Sequence, residues 1–148
     1  MECVILIGIQ ASGKSTFYKE RFFRTHMRIN LDMLKTRHRE QIYLEASLAA
    51  RQPFVVDNTN PTVEERQKYI QKARAARFRV IGYYFEPDAE VSLERNNKRT
   101  GREKIPEIGI RSTLGKLTIP SYYEGFDELY IVTARDGEFE IKELLNQL

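Results

Sequence analysis

The chain has 148 residues, of which 41% are hydrophobic and 30% are charged, and this composition predicts one globular domain over residues 1–148 rather than a disordered chain. No apolar run reaches the roughly 20 residues that a membrane-spanning helix needs, and the net charge of +3 is too small for a polybasic nucleic-acid protein. The single cysteine, Cys3, excludes an internal disulfide, and because no signal peptide is visible we expect a cytoplasmic protein.

Apolar runs and helical patterns alternate along the chain. The runs predict five strands, over residues 2–7, 27–29, 54–56, 79–85 and 129–132. Helices are predicted over residues 14–24, 31–50, 63–76, 89–97, 106–117 and 138–146. Because continuous apolar strands alternate with helices, we expect an α/β fold of three layers, with a five-stranded parallel sheet covered by helices on both faces.

The first predicted strand is followed by a phosphate-binding motif, G-x-x-x-x-G-K-S, which stands here as Gly8-Ile9-Gln10-Ala11-Ser12-Gly13-Lys14-Ser15. Its glycines permit backbone angles that direct N–H groups at phosphate oxygens, and the following helix adds its positive end. Lys14 is expected to bind the β- and γ-phosphates, and Ser15 to bind Mg²⁺. Because the motif lies between a strand and a helix, it predicts a nucleotide site, with Thr16 included, rather than an ordinary glycine turn.

Two carboxylates follow predicted strands, at the edge where ligands of parallel sheets bind. Asp32 follows the second strand and could accept a proton from an acceptor hydroxyl, although an acid there could also serve the helix dipole. Asp57 follows the third strand and is placed to hold Mg²⁺ with Ser15, the alternative being an Asx turn before Pro61. Both acids accompany one phosphate-binding loop, which favours the functional interpretation.

Cations concentrate in a segment that includes a glycine turn. Arg95, Arg99 and Arg102 lie in this segment, and they suit a lid, over about residues 95–117, that closes on the phosphates and excludes water. Favourable charge at a helix C-terminus is the alternative. A second basic stretch, over residues 66–79, follows acids in its own helix and is interpreted as a solvated face, with a nucleic-acid track as the alternative.

Together, these stretches resemble the kinase domain of polynucleotide 5′-hydroxyl kinases: GIQASGKSTF, Asp32, VVDNTNPT and ERNNKRTGR. The resemblance implies a P-loop kinase fold that uses ATP and Mg²⁺, with Asp32 as general base and Lys14 and Arg99 as catalytic cations. It places Ser15 and Asp57 at the metal, and adds Arg95 and Arg102 to the nucleotide contacts.

One position departs from the family, whose Asp-x-x-Arg pattern stands here as Asp32-Met33-Leu34-Lys35. Lysine cannot make arginine's two-pronged phosphate contact, so the nearby Arg37 and Arg39 could substitute for it. Lys35 and Arg37 are the candidates for acceptor binding. The acceptor predicted first is the 5′-OH end of a polynucleotide. A small alcohol (a nucleoside, sugar or antibiotic) is the alternative, and a non-catalytic nucleotide switch ranks below both, because Asn97-Lys98-Arg99-Thr100 lacks the aspartate of an N-K-x-D motif.

Overall fold

The computed structural model describes residues 1–145, apart from the side chain of Arg102. Its strands are β1 (Glu2–Ile7), β2 (Met27–Ile29), β3 (Phe54–Val56), β4 (Arg79–Phe85), β5 (Glu128–Arg135) and β6 (Glu138–Glu143). Its helices are α1 (Lys14–Arg21), α2 (Leu31–Leu34), α3 (Arg37–Ala50), α4 (Val63–Ala75), α5 (Ala89–Asn97) and α6 (Glu107–Lys116). All strands join one sheet, in the order β2-β3-β1-β4-β5-β6.

The sheet is parallel from β2 to β5, and only β6 pairs antiparallel with its neighbour. This arrangement confirms the predicted α/β class, although the sheet has six strands rather than five. Among residues 1–145, no helix combines the length and the apolar character needed to cross a bilayer.

The central strand β1 is buried on both faces. Successive side chains of a strand point to opposite faces, so Cys3, Ile5 and Ile7 belong to one core cluster, and Val4 and Leu6 belong to the other. Residues of α3 and α4 complete the first cluster, and residues of α1 complete the second. Helices therefore cover both faces, and the carboxyl edge of the parallel strands is left as the place where their loops meet.

The helix predicted over residues 138–146 is wrong for the residues that the structure describes, because residues 138–143 form β6, while Asn146 lies outside the described range. Asp136 and Gly137 have positive φ angles of 50° and 77° and make the two-residue turn that Asp-Gly favours in hairpins. Beyond the turn, Phe139 and Ile141 alternate with charged residues and pack against the second core cluster. Pairing with β6 also carries β5 to Arg135, three residues beyond the predicted end.

The helix predicted over residues 31–50 is also wrong as one element, since it is divided into α2 and α3. Lys35 ends α2 with a φ of 75°, and Thr36 caps α3 by accepting a hydrogen bond from the Arg39 N–H at 3.1 Å. The single turn of α2 therefore stays at the end of β2 and presents Asp32 at the carboxyl edge. A smaller difference is that α1 ends at Arg21 rather than at residue 24.

Candidate active site

The loop between β1 and α1 encloses the Lys14 side chain, which is only 8% exposed. Its Nζ donates hydrogen bonds to the carbonyl oxygens of Gly8 at 2.9 Å and Ile9 at 2.7 Å. Burial lowers the pKa of Lys14 from 10.5 to about 8, Asp57 and Asp32 oppose this effect, and Arg99 adds to it. The ammonium is thus held by neutral carbonyls, which phosphate oxygens can replace.

Both glycines of the motif are required by the structure. A Cβ on Gly8 would lie 2.9 Å from Cβ of Phe85 and 3.0 Å from Oγ of Ser12, and Gly13 begins α1 with a φ of 100°. Gly13 stands at the N-cap of α1 and has no side chain to cap the first N–H groups of the helix. This helix start therefore presents free donors and a positive dipole end to an anion.

A hydroxyl, a carboxylate and a guanidinium meet where β3 ends. Ser15 Oγ donates to Asp57 Oδ2 at 3.1 Å, and Arg28 Nε donates to the same oxygen at 2.8 Å. Arg28 Nη2 also donates to Ser15 Oγ at 3.0 Å. Ser15 and Asp57 supply hard oxygen donors of the kind that Mg²⁺ prefers. Among residues 1–145, no three His, Cys, Asp or Glu side chains cluster as metal ligands.

Asp32 lies in the short helix α2, whose orientation is fixed from two sides. The Asn30 side chain caps the helix by accepting a hydrogen bond from the Met33 N–H at 2.9 Å, and the Leu31 N–H donates to Asn58 Oδ1 at 2.9 Å. Asp32 itself is exposed and lines the cleft beside the phosphate-binding loop. The loops after β2 and β3 thus place this carboxylate at the cleft.

A buried carboxylate joins α3 to α4 and to the loop after β3. Glu40 is 5% exposed, and its Oε1 accepts from Tyr69 Oη and Arg37 Nη1, each at 3.0 Å. Its Oε2 accepts from Asn58 Nδ2 at 2.9 Å. Burial raises the pKa of Tyr69 to about 12, so its hydroxyl remains a donor at neutral pH. One carboxylate therefore holds both Arg37 and the amide that orients α2.

The cleft has a volume of about 290 Å³ and brings most of the predicted site residues together. Those lining it are Gln10, Ala11, Gly13, Lys14, Ser15, Thr16, Asp32, Arg37, Asp57 and Arg99. Gly8 and Ile9 lie beneath them and contribute carbonyl groups. Lys35 is exposed and does not line the cleft, and the Arg102 side chain is outside the described part of the chain.

A second cavity of about 270 Å³ lies beside the same loop. Arg95, Arg99 and Phe139 line it together with Thr16 and Gly137, the second residue of the β5–β6 turn. Arg99 thus borders both cavities. Arg95 belongs to this second one, where its Nη1 donates to the Ala11 carbonyl at 3.4 Å.

Comparison with known proteins assigns this chain to a family. A family model described as an AAA domain (AAA_33) matches residues 3–118, which include the phosphate-binding loop, Asp32, Asp57 and Arg99. The chain belongs to this AAA domain family. The match ends before β5, so the β5–β6 hairpin and its contribution to the second cavity lie outside the matched stretch.

Two curated relatives of this AAA domain protein confirm the resemblance. The bifunctional polynucleotide phosphatase/kinase of Schizosaccharomyces pombe (strain 972 / ATCC 24843) is 30% identical over 129 residues, which are 84% of this chain and 32% of that protein. A putative bifunctional polynucleotide phosphatase/kinase of Acanthamoeba polyphaga mimivirus is 30% identical over 139 residues, which are 89% of this chain and 33% of that protein. The chain spans about a third of the length of these relatives.

The fold also matches a crystal structure of a gluconokinase from Sinorhizobium meliloti 1021, with a TM-score of 0.62 and 20% identity. The match covers 89% of this chain and 82% of that chain. At this identity, the likeness shows a shared P-loop kinase fold and no more.

Three residues that hold the site in place are not among the predicted site residues. Arg28 and Glu40 belong to no motif, and Asn58 lies in the stretch VVDNTNPT and lines the cleft, but that stretch predicts no role for it. Asn58 could have been noticed, because it directly follows Asp57 at a strand end. Nothing in the local sequence distinguishes Arg28 or Glu40 from other charged residues in this chain.

Proposed function

We propose that this protein is an ATP-dependent kinase that transfers the γ-phosphate to a hydroxyl group, most readily to the 5′-OH end of a polynucleotide. The observation that carries the proposal is that Lys14, Asp32 and Arg99 line one cleft. Cations for the transferred phosphoryl group and a base for the attacking hydroxyl thus share one space, as in-line displacement requires.

On the donor side, Lys14 and the N–H groups of the loop would bind the ATP phosphates, and Arg99 would neutralise charge that builds up during transfer. Ser15 and Asp57 would hold Mg²⁺, which would supply further neutralisation of phosphate charge during transfer. The second cavity, which Arg95 and Phe139 line, offers space for the nucleoside beside the loop. Arg102 remains a proposed nucleotide contact.

Residues 95–117 are proposed as the lid over this donor site. Asn96 is buried, and its Oδ1 accepts a hydrogen bond from the Ile105 N–H at 2.8 Å. Gln10 of the phosphate-binding loop donates to Thr113 Oγ1 at 2.9 Å. These bonds hold the segment together and connect it to the loop that it would cover.

On the acceptor side, Asp32 would take the proton of the attacking hydroxyl. Arg37 lines the cleft near it, whereas Lys35 does not. We therefore propose Arg37 as the main acceptor contact and Lys35 as a peripheral one. The planar guanidinium of Arg37 can bind a phosphate with two parallel hydrogen bonds, and such a phosphate follows the first nucleoside of a 5′-OH end. The names of the two curated relatives support the same acceptor class.

A small alcohol is the second candidate acceptor, and two oxygen atoms favour it. Gln10 Oε1 and Glu65 Oε2 are buried and, among the described residues, find no hydrogen-bond donor. Both residues line the cleft. Hydroxyl groups of a small ligand would satisfy these acceptors, whereas a phosphate would be repelled by the Glu65 carboxylate. A nucleotide switch without transferase activity ranks third.

We propose that the protein is cytoplasmic. Its single cysteine, Cys3, is compatible with a reducing compartment. Cys3 is fully buried in β1, and burial raises the pKa of this thiol. Its thiolate is therefore scarce, and the side chain acts as a small apolar residue of the core.

The test is phosphate transfer from γ-labelled ATP to 5′-OH DNA and RNA oligonucleotides and to a panel of nucleosides, sugars and aminoglycosides. Asp32→Asn should reduce transfer by roughly 10²–10⁴-fold, the range for loss of a general base, while ADP affinity stays near wild type. Glu64→Gln is the matched control, because Glu64 is an exposed carboxylate at a helix start away from the cleft.

Transfer to oligonucleotides at more than tenfold the efficiency of transfer to any small alcohol would support the leading acceptor, and the reverse ranking would support the second. Wild-type transfer rates in Asp32→Asn would remove Asp32 from its proposed role. ATP binding without transfer to any acceptor would favour the switch.

A further inference from the structure

Arg28 occupies a position that neither the phosphate-binding motif nor the proposed mechanism uses. It is the middle residue of β2, the edge strand, and its partner in the pairing with β3 is Val55. Its guanidinium reaches past the end of β3 and donates to Asp57 Oδ2 at 2.8 Å and to Ser15 Oγ at 3.0 Å. These two residues are the ones proposed to hold Mg²⁺.

The buried charge of the Asp57 carboxylate requires a cation beside it. Its side chain is 2% exposed, and a buried carboxylate without a partner is strongly unfavourable. Within the described residues, Arg28 is the cation that forms an ion pair with it. The guanidinium therefore neutralises the charge of this carboxylate.

Arg28 also has a route away from the site. Its side chain is 28% exposed, and the guanidinium lies over the ring of Tyr18, 5.9 Å from the centroid. The Tyr18 hydroxyl is itself fixed by a hydrogen bond to the His26 carbonyl at 2.7 Å. An aromatic face can hold an arginine beside the site after its bonds to the two oxygens are broken.

We infer that Arg28 is a built-in counter-ion that competes with Mg²⁺ for Asp57 and Ser15, so that it lowers the affinity of the free protein for divalent metal. Two cations cannot share these oxygens at low cost, because a charge of +1 a few ångströms from +2 is repelled even in a well-screened site. Phosphates that arrive with the nucleotide offset this repulsion, so the metal would be bound with nucleotide rather than before it. This inference rests on the proposed metal role of Ser15 and Asp57.

The test is a titration of the nucleotide-free protein with Mn²⁺, in which electron paramagnetic resonance counts the free ion. Arg28→Gln should bind Mn²⁺ roughly tenfold more tightly than wild type, because one repelling charge is removed. Arg28→Lys is the matched control: it keeps the charge and should stay within about threefold of wild type. Adding Asp57→Asn to Arg28→Gln should abolish the gained affinity.

Equal Mn²⁺ affinity in wild type and Arg28→Gln would overturn the competition. A gained affinity that survives Asp57→Asn would instead overturn the metal assignment on which the inference rests, so the two failures are distinguishable. Neither result depends on phosphate transfer or on the identity of the acceptor.

A measurement on the wild-type protein guards against variants that do not fold. Hydrogen exchange at Arg28 Nε, followed by nitrogen-15 NMR, should be slow in the free protein and in ADP alone. It should accelerate at least tenfold when Mg²⁺ and ADP are added together, because the bond to Asp57 is then broken. Unchanged exchange on that addition would show that Arg28 keeps its place beside the metal, and would overturn the inference.

Discussion

Raising the pH should weaken nucleotide binding, because Lys14 loses its proton within the accessible range. Burial lowers the pKa of Lys14 from 10.5 to about 8, while bound phosphates would favour the charged ammonium and return the pKa toward its ordinary value. The difference, 10.5 minus about 8, is about 2.5 pH units. At about 1.4 kcal/mol for each unit, it corresponds to roughly 3 kcal/mol of binding free energy that depends on protonation of Lys14.

The direction of the pH effect follows from the protonation state of Lys14 in the free protein and in the ADP complex. Below pH 8, Lys14 is charged in both the free and the bound protein, and affinity is independent of its titration. Between pH 8 and 10.5, the free protein is neutral at Lys14 while the complex is charged, so binding takes up a proton. Between pH 7 and pH 9.5, we therefore expect the ADP affinity to fall roughly 30-fold.

The assay is isothermal titration calorimetry with ADP, run at each pH in two buffers of different ionisation enthalpy so that proton uptake is counted. At pH 9, wild type should take up about 0.9 protons on binding. Lys14→Arg is the control, because a guanidinium stays charged throughout this range, and its affinity should be nearly constant. A wild-type affinity that changes less than threefold, with no proton taken up, would refute the lowered pKa.

Three further predictions concern packing and buried charge. Gly82→Ala should reduce the free energy of unfolding by ~1–3 kcal/mol in urea titrations, because its Cβ would lie 2.6 Å from Leu129 Cδ2. An unchanged free energy of unfolding would mean that the Leu129 side chain moves aside without loss of stability. Glu124→Gln should reduce the free energy of unfolding by about 3–5 kcal/mol in the same assay, since it leaves the fully buried guanidinium of Arg66 without its ion-pair partner. A reduction of less than 1 kcal/mol would contradict this prediction. Glu40→Gln should raise KM for the acceptor more than tenfold while ADP affinity stays constant, because Glu40 holds acceptor-side groups; equal effects on donor and acceptor would indicate general destabilisation.

The donor half of the site could be predicted from the sequence because its determinants are local. The phosphate-binding loop needs one strand, one helix and two glycines within a short stretch, so the motif specifies its own geometry. Asp57 was predicted because an acid that ends an apolar strand must lie at the carboxyl edge of the sheet. In the structure, its hydrogen bond to Ser15 spans 42 positions of the chain.

Two errors in the elements have local explanations as well. The Asp136-Gly137 pair and the alternation of Phe139 and Ile141 together indicate a hairpin, which a helix over residues 138–146 does not take into account. At Lys35, the positive φ ends α2, and Thr36 is a common capping residue that begins a new helix. The Asp-Gly pair and Thr36 are signals in the sequence, whereas the positive φ of Lys35 is seen only in the structure.

The sequence by itself determined the fold class and the phosphate-binding loop, because apolar periodicity and glycine placement act over a few neighbouring residues. The tertiary structure alone decided which charges meet: Arg28 with Asp57, Glu40 with Arg37 and Asn58, and Arg37 rather than Lys35 at the cleft. Side-chain contacts of this kind depend on how strands and helices pack side by side. A pattern along the chain does not record those distances.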